Sequence, residues 1–273
     1  KILSKYAINN GSLTISKKAN EKNIKFYAQT VYKHKLLMDH GEPTSDYTVL
    51  GEIDENDNIK AKINDGVNIT LDDNIGISAT NIGFYFDGVM NFTEMLSNTQ
   101  PVQVNAKSSS QKESKVEVHT KNSFVYLGNN RTLISDSIDM EYKNRALTAL
   151  VTHNQGVAKL LYKDNAFYVK GSGFNNEFIQ KLATLSKIKS GVFDFSMDGT
   201  TKEYEGYIHF KDSIIEDHKV LNNVLAFVNT IPALLTFSLP GYSKHGIEAK
   251  DAYVNFSFKN DIYTLNDIFL KSK

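Results

Sequence analysis

The sequence contains no cysteine, which excludes disulfide bridges, thiolate metal sites and cysteine nucleophiles. It also lacks an excess of charge, because 31 Lys and Arg residues balance 31 Asp and Glu residues. Nucleic-acid-binding domains normally carry a basic surplus, so we expect no nucleic acid among the partners of this chain. The 273 residues are 41% hydrophobic, which is enough for a sizeable core.

Motifs of catalysis and metal binding are also missing. The seven histidines are scattered and form no i, i+4 pair of the kind that a helical zinc site uses. The run Asp54 to Asp65 begins like a calcium loop, but Ile59 stands where glycine is required and Asp65 where a bidentate glutamate is usual. No phosphate loop, dinucleotide fingerprint or Gly-x-Ser-x-Gly occurs. We therefore predict a chain that is not an enzyme, has no cofactor and binds no metal.

Apolar and polar residues alternate through most of the chain, which is typical of strands with one buried face. The pattern is clear at residues 24–29 and again at 67–72, 75–79 and 82–86. Turn-forming segments separate these runs: Asn9-Asn10-Gly11, Asp54 to Asn58, Asp65-Gly66 and Asp72-Asp73-Asn74. The sequence therefore predicts a mainly β fold with successive antiparallel strands.

Two segments in the body of the chain break the alternation and predict amphipathic helices. Asn91 to Asn98 is short, whereas Asn175 to Lys189 is a stronger signal because its apolar residues follow helical spacing. The polar stretch at 107–113 has no periodicity and is predicted to be a surface loop. It is also the candidate boundary if the chain is subdivided.

A third helical segment runs from Val220 to Leu239, and Pro232 should break it into two pieces. Several asparagines interrupt the segment, so it is not a good membrane span. We expect it either to cap the sheet or rest on a membrane surface, or else to pack on the sheet and close its core. Its apolar stripe consists of Leu221, Val224, Leu225, Val228 and Leu235.

A series of short motifs surrounds this third segment. Gly191-Val-Phe-Asp-Phe-Ser-Met-Asp-Gly199 and Glu205-Gly-Tyr-Ile-His-Phe-Lys-Asp212 come before it. Leu239-Pro-Gly-Tyr-Ser-Lys-His-Gly246 and Asp251-Ala-Tyr-Val-Asn-Phe-Ser-Phe258 follow it. In this order the motifs resemble the carboxy-terminal region of the AsmA-like proteins, in particular those that carry a DUF3971-type domain. The resemblance covers about residues 165–273.

The resemblance implies a periplasmic protein of a Gram-negative envelope, anchored in the inner membrane through a segment absent from this chain. Such proteins have a long, curled antiparallel sheet that forms a hydrophobic β-groove and moves lipid between membranes. Residues 1–273 would then be one elongated groove segment of a larger protein. The implied partners are phospholipid, the inner and outer membranes and other envelope proteins, and no catalytic residues come with the family.

Inward-facing residues of such a groove would line the lipid path. We predict this role for Phe84, Phe86, Phe193, Phe195, Met197, Ile208, Phe210, Val254, Phe256 and Phe258. Alternation indicates a buried face but not what buries it, so the same rows also fit a sandwich or a helix-covered sheet. The second hypothesis is a structural or adhesive envelope protein that binds a partner through an edge strand.

Overall fold

Strands dominate the structure, a computed structural model that describes residues 8–89, 91, 115–183, 190–213, 249–260 and 262–271. The prediction of a mainly β chain is confirmed. The third predicted helix, nearly all of the first one and the polar stretch at 107–113 lie outside the described residues. The chain divides into two compact units, residues 1–127 with 141–144 and residues 128–140 with 145–273.

Short strands with antiparallel neighbours make up most of the first unit. The first ten strands are β1 (Ile8–Ser16), β2 (Ile24–Tyr32), β3 (Leu37–Asp39), β4 (Glu42–Thr44), β5 (Asp46–Ile53), β6 (Ile59–Ile63), β7 (Val67–Leu71), β8 (Ile75–Thr80), β9 (Gly83–Tyr85) and β10 (Val116–Gly128). Antiparallel pairs join β1 to β2, β2 to β5, and then β5 through β8 in order.

The sequence predicted antiparallel strands throughout, but β10 runs parallel to both β8 and β9. A parallel pair needs a crossover connection of about a dozen residues or more. Residues 86–115 separate β9 from β10, and this length allows the chain to return and run in the same direction. The alternation pattern alone does not distinguish the two directions.

Asn and Asp residues in the left-handed backbone conformation form several tight turns between strands. Asp164 and Asn165 have φ values of 51° and 66°, and Asn144 has a φ of 52° beside Arg145 at 59°. Two consecutive positive φ values are the geometry of a type I′ hairpin, whose twist matches that of the flanking strands. The predicted turns at Asp65-Gly66 and at 72–74 also fall between strands, as expected.

The predicted turn at Asn9-Asn10-Gly11 is wrong, because these residues lie inside β1. Asn10 and Gly11 pair with Val31 and Thr30 of β2, and the register shifts between Ile8 and Asn10. A local irregularity of this kind lets a strand accommodate turn-forming residues. Pairing with β2 therefore overrides the local preference.

The second unit is an antiparallel series in which each strand from β12 to β18 pairs with the next along the chain. Its elements are most of β11 (Arg131–Lys143), whose last three residues belong to the first unit, followed by β12 (Ala146–His153), β13 (Gly156–Lys163), β14 (Ala166–Asn175), α1 (Asn176–Ala183), β15 (Val192–Thr200), β16 (Glu203–Ser213), β17 (Ala249–Lys259) and β18 (Ile262–Lys271). Residues that stand opposite each other on neighbouring strands lie on the same face of the sheet, and every second residue along each strand belongs to that face.

The helix α1 begins with a side-chain cap, because Asn175 Oδ1 accepts a hydrogen bond from the Phe178 backbone N–H at 3.0 Å. Phe178, Ile179 and Leu182 are buried, as their helical spacing predicted. The Phe178 ring stacks on Phe174 of β14 with 4.0 Å between ring centroids. The helix therefore covers part of the apolar face of this sheet.

Asp194 of β15 fixes an irregularity between β14 and β15. One of its carboxylate oxygens accepts the Gly173 N–H at 2.9 Å, and the other accepts a bond from Lys211 Nζ at 2.7 Å. Gly173 has a φ of 75° and lies where the register of the two strands shifts. Burial opposes the charge on Asp194, but the bonds from Lys211 and Gly173 outweigh it and hold the pKa below its ordinary value.

We expect Asp194→Asn to reduce the free energy of unfolding by about 1–2 kcal/mol at neutral pH, because a charge-assisted pair to a half-exposed lysine is lost. The folded-state pKa is lower than the unfolded one, so the wild-type advantage is complete above about pH 4 and is lost as the pH falls through the folded value. Urea unfolding of both proteins at pH 7 and pH 3 measures this. Asp198→Asn, an exposed position on the same strand, is the control, and an equal cost at both pH values would contradict the assignment.

Candidate functional site

Most of the predicted groove residues lie side by side on one face of the second unit. Phe193 stands opposite Phe210, and Phe195 stands opposite Ile208, which in turn faces Val254. Seven of these residues are at most 4% exposed: Phe193, Phe195, Met197, Ile208, Phe210, Val254 and Phe256. The eighth, Phe258, is half-buried. The strand pairing places these eight residues on one face.

Aromatic rings fill the space beside this face. Phe193 and Phe210 meet edge to face at 5.0 Å, and Phe195 stacks near Phe174 at 6.0 Å. Phe195 also lies over Gly171, where an added Cβ would come within 2.3 Å of its ring. Side chains of the protein itself therefore occupy this interior, and the contact of these residues with lipid remains a prediction.

Phe84 and Phe86 belong to the first unit. Phe84 pairs with Leu37, whereas Phe86 is a partly buried helical residue directly after β9. Phe84 packs against a cluster of buried residues that we call the end cluster: Tyr32, Leu37, Tyr47, Val67 and Ala79. The predicted capping residues Leu221, Val224, Leu225, Val228 and Leu235 lie outside the described residues.

The first unit carries three rows of mainly apolar residues that cross its strands, and we call them together the first-unit apolar face. The middle row is Ile15, Phe26, Gly51, Ala61, Ile69, Ile77 and Val118. The inner row is Leu13, Ala28, Val49, Ile63, Val67, Ala79 and Thr120. The outer row is Ile24, Ile53, Ile59, Leu71, Ile75 and Val116.

This face is much less buried than the corresponding face of the second unit. Ile69 and Ile77 in the middle row are only partly buried, and Leu13 and Ile15 at the β1 end are 62% and 64% exposed. The inner row becomes buried where Val67 and Ala79 join the end cluster. The end cluster thus closes one side of the face, and solvent reaches the rest.

The opposite side of the same strands is mainly polar, although it also carries Leu50, which is 49% exposed. Its exposed residues include Lys25, Gln29, Lys60, Lys62, Asn68, Thr70 and Ser78. Because side chains alternate across a strand, the two faces differ sharply although they share one backbone. The apolar face is therefore the side that can take up an apolar ligand.

Titratable groups in the structure mainly support turns and strand pairs. Asp54 accepts the backbone N–H groups of Asn56 and Asn58, as the predicted polar turn requires, and the Asn58 side chain helps to lower the pKa of this carboxyl. On the surface of the second unit, His209 Nε2 lies 2.6 Å from Asp251 Oδ1. Within the described ranges no group of three or more His, Asp or Glu residues is arranged to hold a metal ion.

No protein-family model, curated protein or solved structure matches this chain. In the part of the chain that the structure describes, no helix has both the length and the apolar character needed to cross a membrane. The choice of a functional site therefore depends on the geometry of the two apolar faces.

The sequence identified the strands of the first-unit apolar face but gave its residues no role in binding. Ile69, Ile77 and their neighbours alternate just as clearly as the aromatic residues of β15 and β17. The sequence did contain one signal for an extended apolar face, namely a long series of Ile-rich strands with no helix between them. The extent to which other residues cover these strands required the tertiary structure.

Proposed function

We propose that the chain binds apolar lipid chains on the first-unit apolar face. The observation that carries this proposal is the partial exposure of the middle row across seven strands. Six spacings of about 4.8 Å give the row a length of about 29 Å. The hydrocarbon core of a bilayer is about 30 Å thick and holds two acyl chains end to end, so the row is long enough for a whole acyl chain.

Burial of hydrocarbon supplies the binding energy in this proposal. Each CH₂ removed from water contributes about 0.8 kcal/mol, so a chain of about 16 carbons gains on the order of 12 kcal/mol before ordering costs. The middle row consists of Ile, Val, Ala, Gly and Phe, none of which offers a polar side-chain group to a ligand. Such a surface discriminates little among acyl chains.

The resemblance to AsmA-like proteins extends this proposal to transport. In that reading, acyl chains slide along the apolar face while headgroups stay in water, and phospholipid passes between the inner and outer membranes in the periplasm. In such a passive path the affinity comes from the buried apolar area alone. Movement of lipid along it therefore needs no catalytic residue. We propose this as the biological role of the chain.

The double variant Ile69→Gln, Ile77→Gln tests the binding proposal. These residues stand opposite each other in the middle row, and two amide groups would have to lose water when an acyl chain covers them. We expect the affinity for the fluorescent fatty acid cis-parinaric acid to fall by about tenfold or more, since tenfold corresponds to only about 1.4 kcal/mol. Fluorescence titration of the purified chain measures this.

The matched control is Asn68→Gln, Ser78→Gln, a directly opposed pair on the polar face of the same two strands. Its affinity should equal that of the wild type, and circular dichroism should show that both double variants keep their strands. Equal affinities of the two double variants, or no binding by the wild type, would contradict the proposal.

A protein partner at β18 is the second candidate function. Ile262, Ile268 and Phe269 of this strand are 65%, 55% and 55% exposed, an unusual density of apolar surface on one strand. A photo-crosslinking residue at position 268 should give protein adducts in cells if this candidate holds. Lipid adducts from position 69, without protein adducts from position 268, would favour the lipid-binding proposal instead.

A further inference from the structure

The strand β1 forms an open edge of the sheet in the first unit. Its pairs with β2 use one edge of the strand, and every side chain from Asn9 to Ser16 is exposed. Leu13 and Ile15, on the first-unit apolar face, are 62% and 64% exposed. Their neighbours on β2, Ala28 and Phe26, have strands on both sides and are partly buried. Within the described part of the chain, the second edge of β1 is therefore open to another strand.

The sequence of β1 lacks two features that commonly protect an open edge. Charged side chains and proline on an edge strand prevent it from pairing with other chains. Between Ile8 and Ser16 the chain has neither, and the first charged residues after the strand are Lys17 and Lys18. The shift in register with β2 lies near Ile8, so residues 10–16 form a regular edge.

We propose that β1 pairs antiparallel with β1 of a second copy of the chain, with Thr14 of each copy opposite Thr14 of the other. In this register Leu13 stands opposite Ile15 of the second copy, and Ile15 stands opposite its Leu13. Ser12 and Ser16 stand opposite each other in the same way, so apolar residues meet apolar ones and polar residues meet polar ones. The strand is therefore complementary to itself, as an interface with two-fold symmetry requires.

The two neighbouring registers are less favourable. A centre at Ile15 places Leu13 opposite Lys17 of the second copy. A centre at Leu13 places Ile15 opposite Gly11, which has no side chain to cover it. Of these three registers, the one centred at Thr14 pairs both exposed apolar side chains with apolar ones, and it keeps the Lys17 residues of the two copies about 20 Å apart.

This pairing joins the first-unit apolar faces of the two copies. Residues opposite each other in an antiparallel pair point to the same side of the sheet, so both faces lie on one side. Leu13 and Ile15 gain an apolar neighbour on their open side, and the apolar surface continues from one copy into the other. The inference concerns association of the chain with itself, and it does not depend on ligand binding.

Sedimentation velocity of the full 273-residue chain measures this association. One strand pair is a small interface, so we expect a dissociation constant of about 10–100 μM and a monomer–dimer equilibrium between about 1 and 300 μM protein. Leu13→Lys places a charge opposite Ile15 of the second copy and should weaken the dimer by about tenfold or more. The control is Leu50→Lys, because Leu50 is 49% exposed but lies on β5 between two paired strands. This control variant should dimerise as the wild type does.

Disulfide trapping tests the register, because the chain has no cysteine of its own. Thr14→Cys brings the two new thiols directly opposite each other, within the Cα separation of about 4.4–6.8 Å that a disulfide spans. Mild oxidation with diamide at high protein concentration should convert most of this variant into a covalent dimer. The control is Ser12→Cys, because the Cα atoms of the two Ser12 residues are about 14 Å apart in this register and cannot be linked.

Any of four results would overturn the proposal. The first is a wild-type chain that stays monomeric at the highest concentration, and the second is a dimer that Leu13→Lys does not weaken. The third is cross-linking of Ser12→Cys as efficient as that of Thr14→Cys. The fourth is an assembly larger than a dimer, because it indicates head-to-tail pairing of β1 with a different edge.

The lipid-binding proposal can fail separately from this inference. The variant Ile69→Gln, Ile77→Gln has both substitutions on β7 and β8, away from the edge at β1. It should dimerise as the wild type does, whether or not it binds cis-parinaric acid.

Discussion

Replacing Phe195 with alanine should lower the free energy of unfolding by about 3–5 kcal/mol, the usual cost of a large cavity in a closely packed interior. Phe195 is 3% exposed, and it contacts Gly171 on one neighbouring strand and stands opposite Ile208 on the other. Urea unfolding followed by circular dichroism measures the loss. Phe269→Ala, at a residue of β18 that is 55% exposed, is the control and should cost less than about 1 kcal/mol.

This experiment also distinguishes two interpretations of the apolar face of the second unit, a packed core and an open lipid path. If Phe195 belongs to a packed core, the variant loses stability and keeps its affinity for cis-parinaric acid. If Phe195 lines an open lipid path, the cost in stability should be small, below about 1 kcal/mol, and the affinity should fall. The second outcome would restore the second unit as the lipid-binding surface.

The second large effect is expected at Gly171, which lies directly opposite Phe195. A Cβ added there would come within 2.3 Å of the Phe195 ring, so Gly171→Ala should cost about 1–3 kcal/mol through overpacking. The expected cost comes from this contact, because Gly171 does not have a positive φ. The same unfolding assay applies.

A double-mutant cycle separates the contact from any effect on the backbone. In a Phe195→Ala background the space of the ring is free, so adding Gly171→Ala should cost close to nothing. The expected interaction energy between the two positions is therefore about 1–3 kcal/mol. An equal cost of Gly171→Ala in both backgrounds would show that the ring is not responsible.

The two apolar faces have similar sequence patterns but different surroundings. Phe193, Phe195 and Met197 alternate along β15 in the same way as Ile75, Ile77 and Ala79 alternate along β8. The β15 residues are at most 3% exposed, whereas Ile75 and Ile77 are only partly buried. The apolar side chains of β15 are therefore packed, whereas solvent reaches those of β8, and the proposal of ligand binding in the first unit rests on this difference.

The sequence alone determined most of the strands, most of the turns and the buried residues of α1. Each of these features depends on residues that are close in the chain: the alternation of side chains along a strand, the left-handed conformation that Asn and Asp tolerate, and the spacing of apolar residues on a helix. Asn9-Asn10-Gly11 is the exception, because a strand distant in sequence pairs with it.

Tertiary structure decided the direction of β10 and the exposure of each apolar face. Both depend on which distant segments come together: β10 on β8 and β9, and the end cluster on one side of the first-unit apolar face. Alternation specifies that one face of a strand avoids water, but it carries no information about what covers that face. The burial of Phe195 and the partial exposure of Ile69 were therefore decided by packing. The proposal of a lipid-binding surface in the first unit rests on that difference.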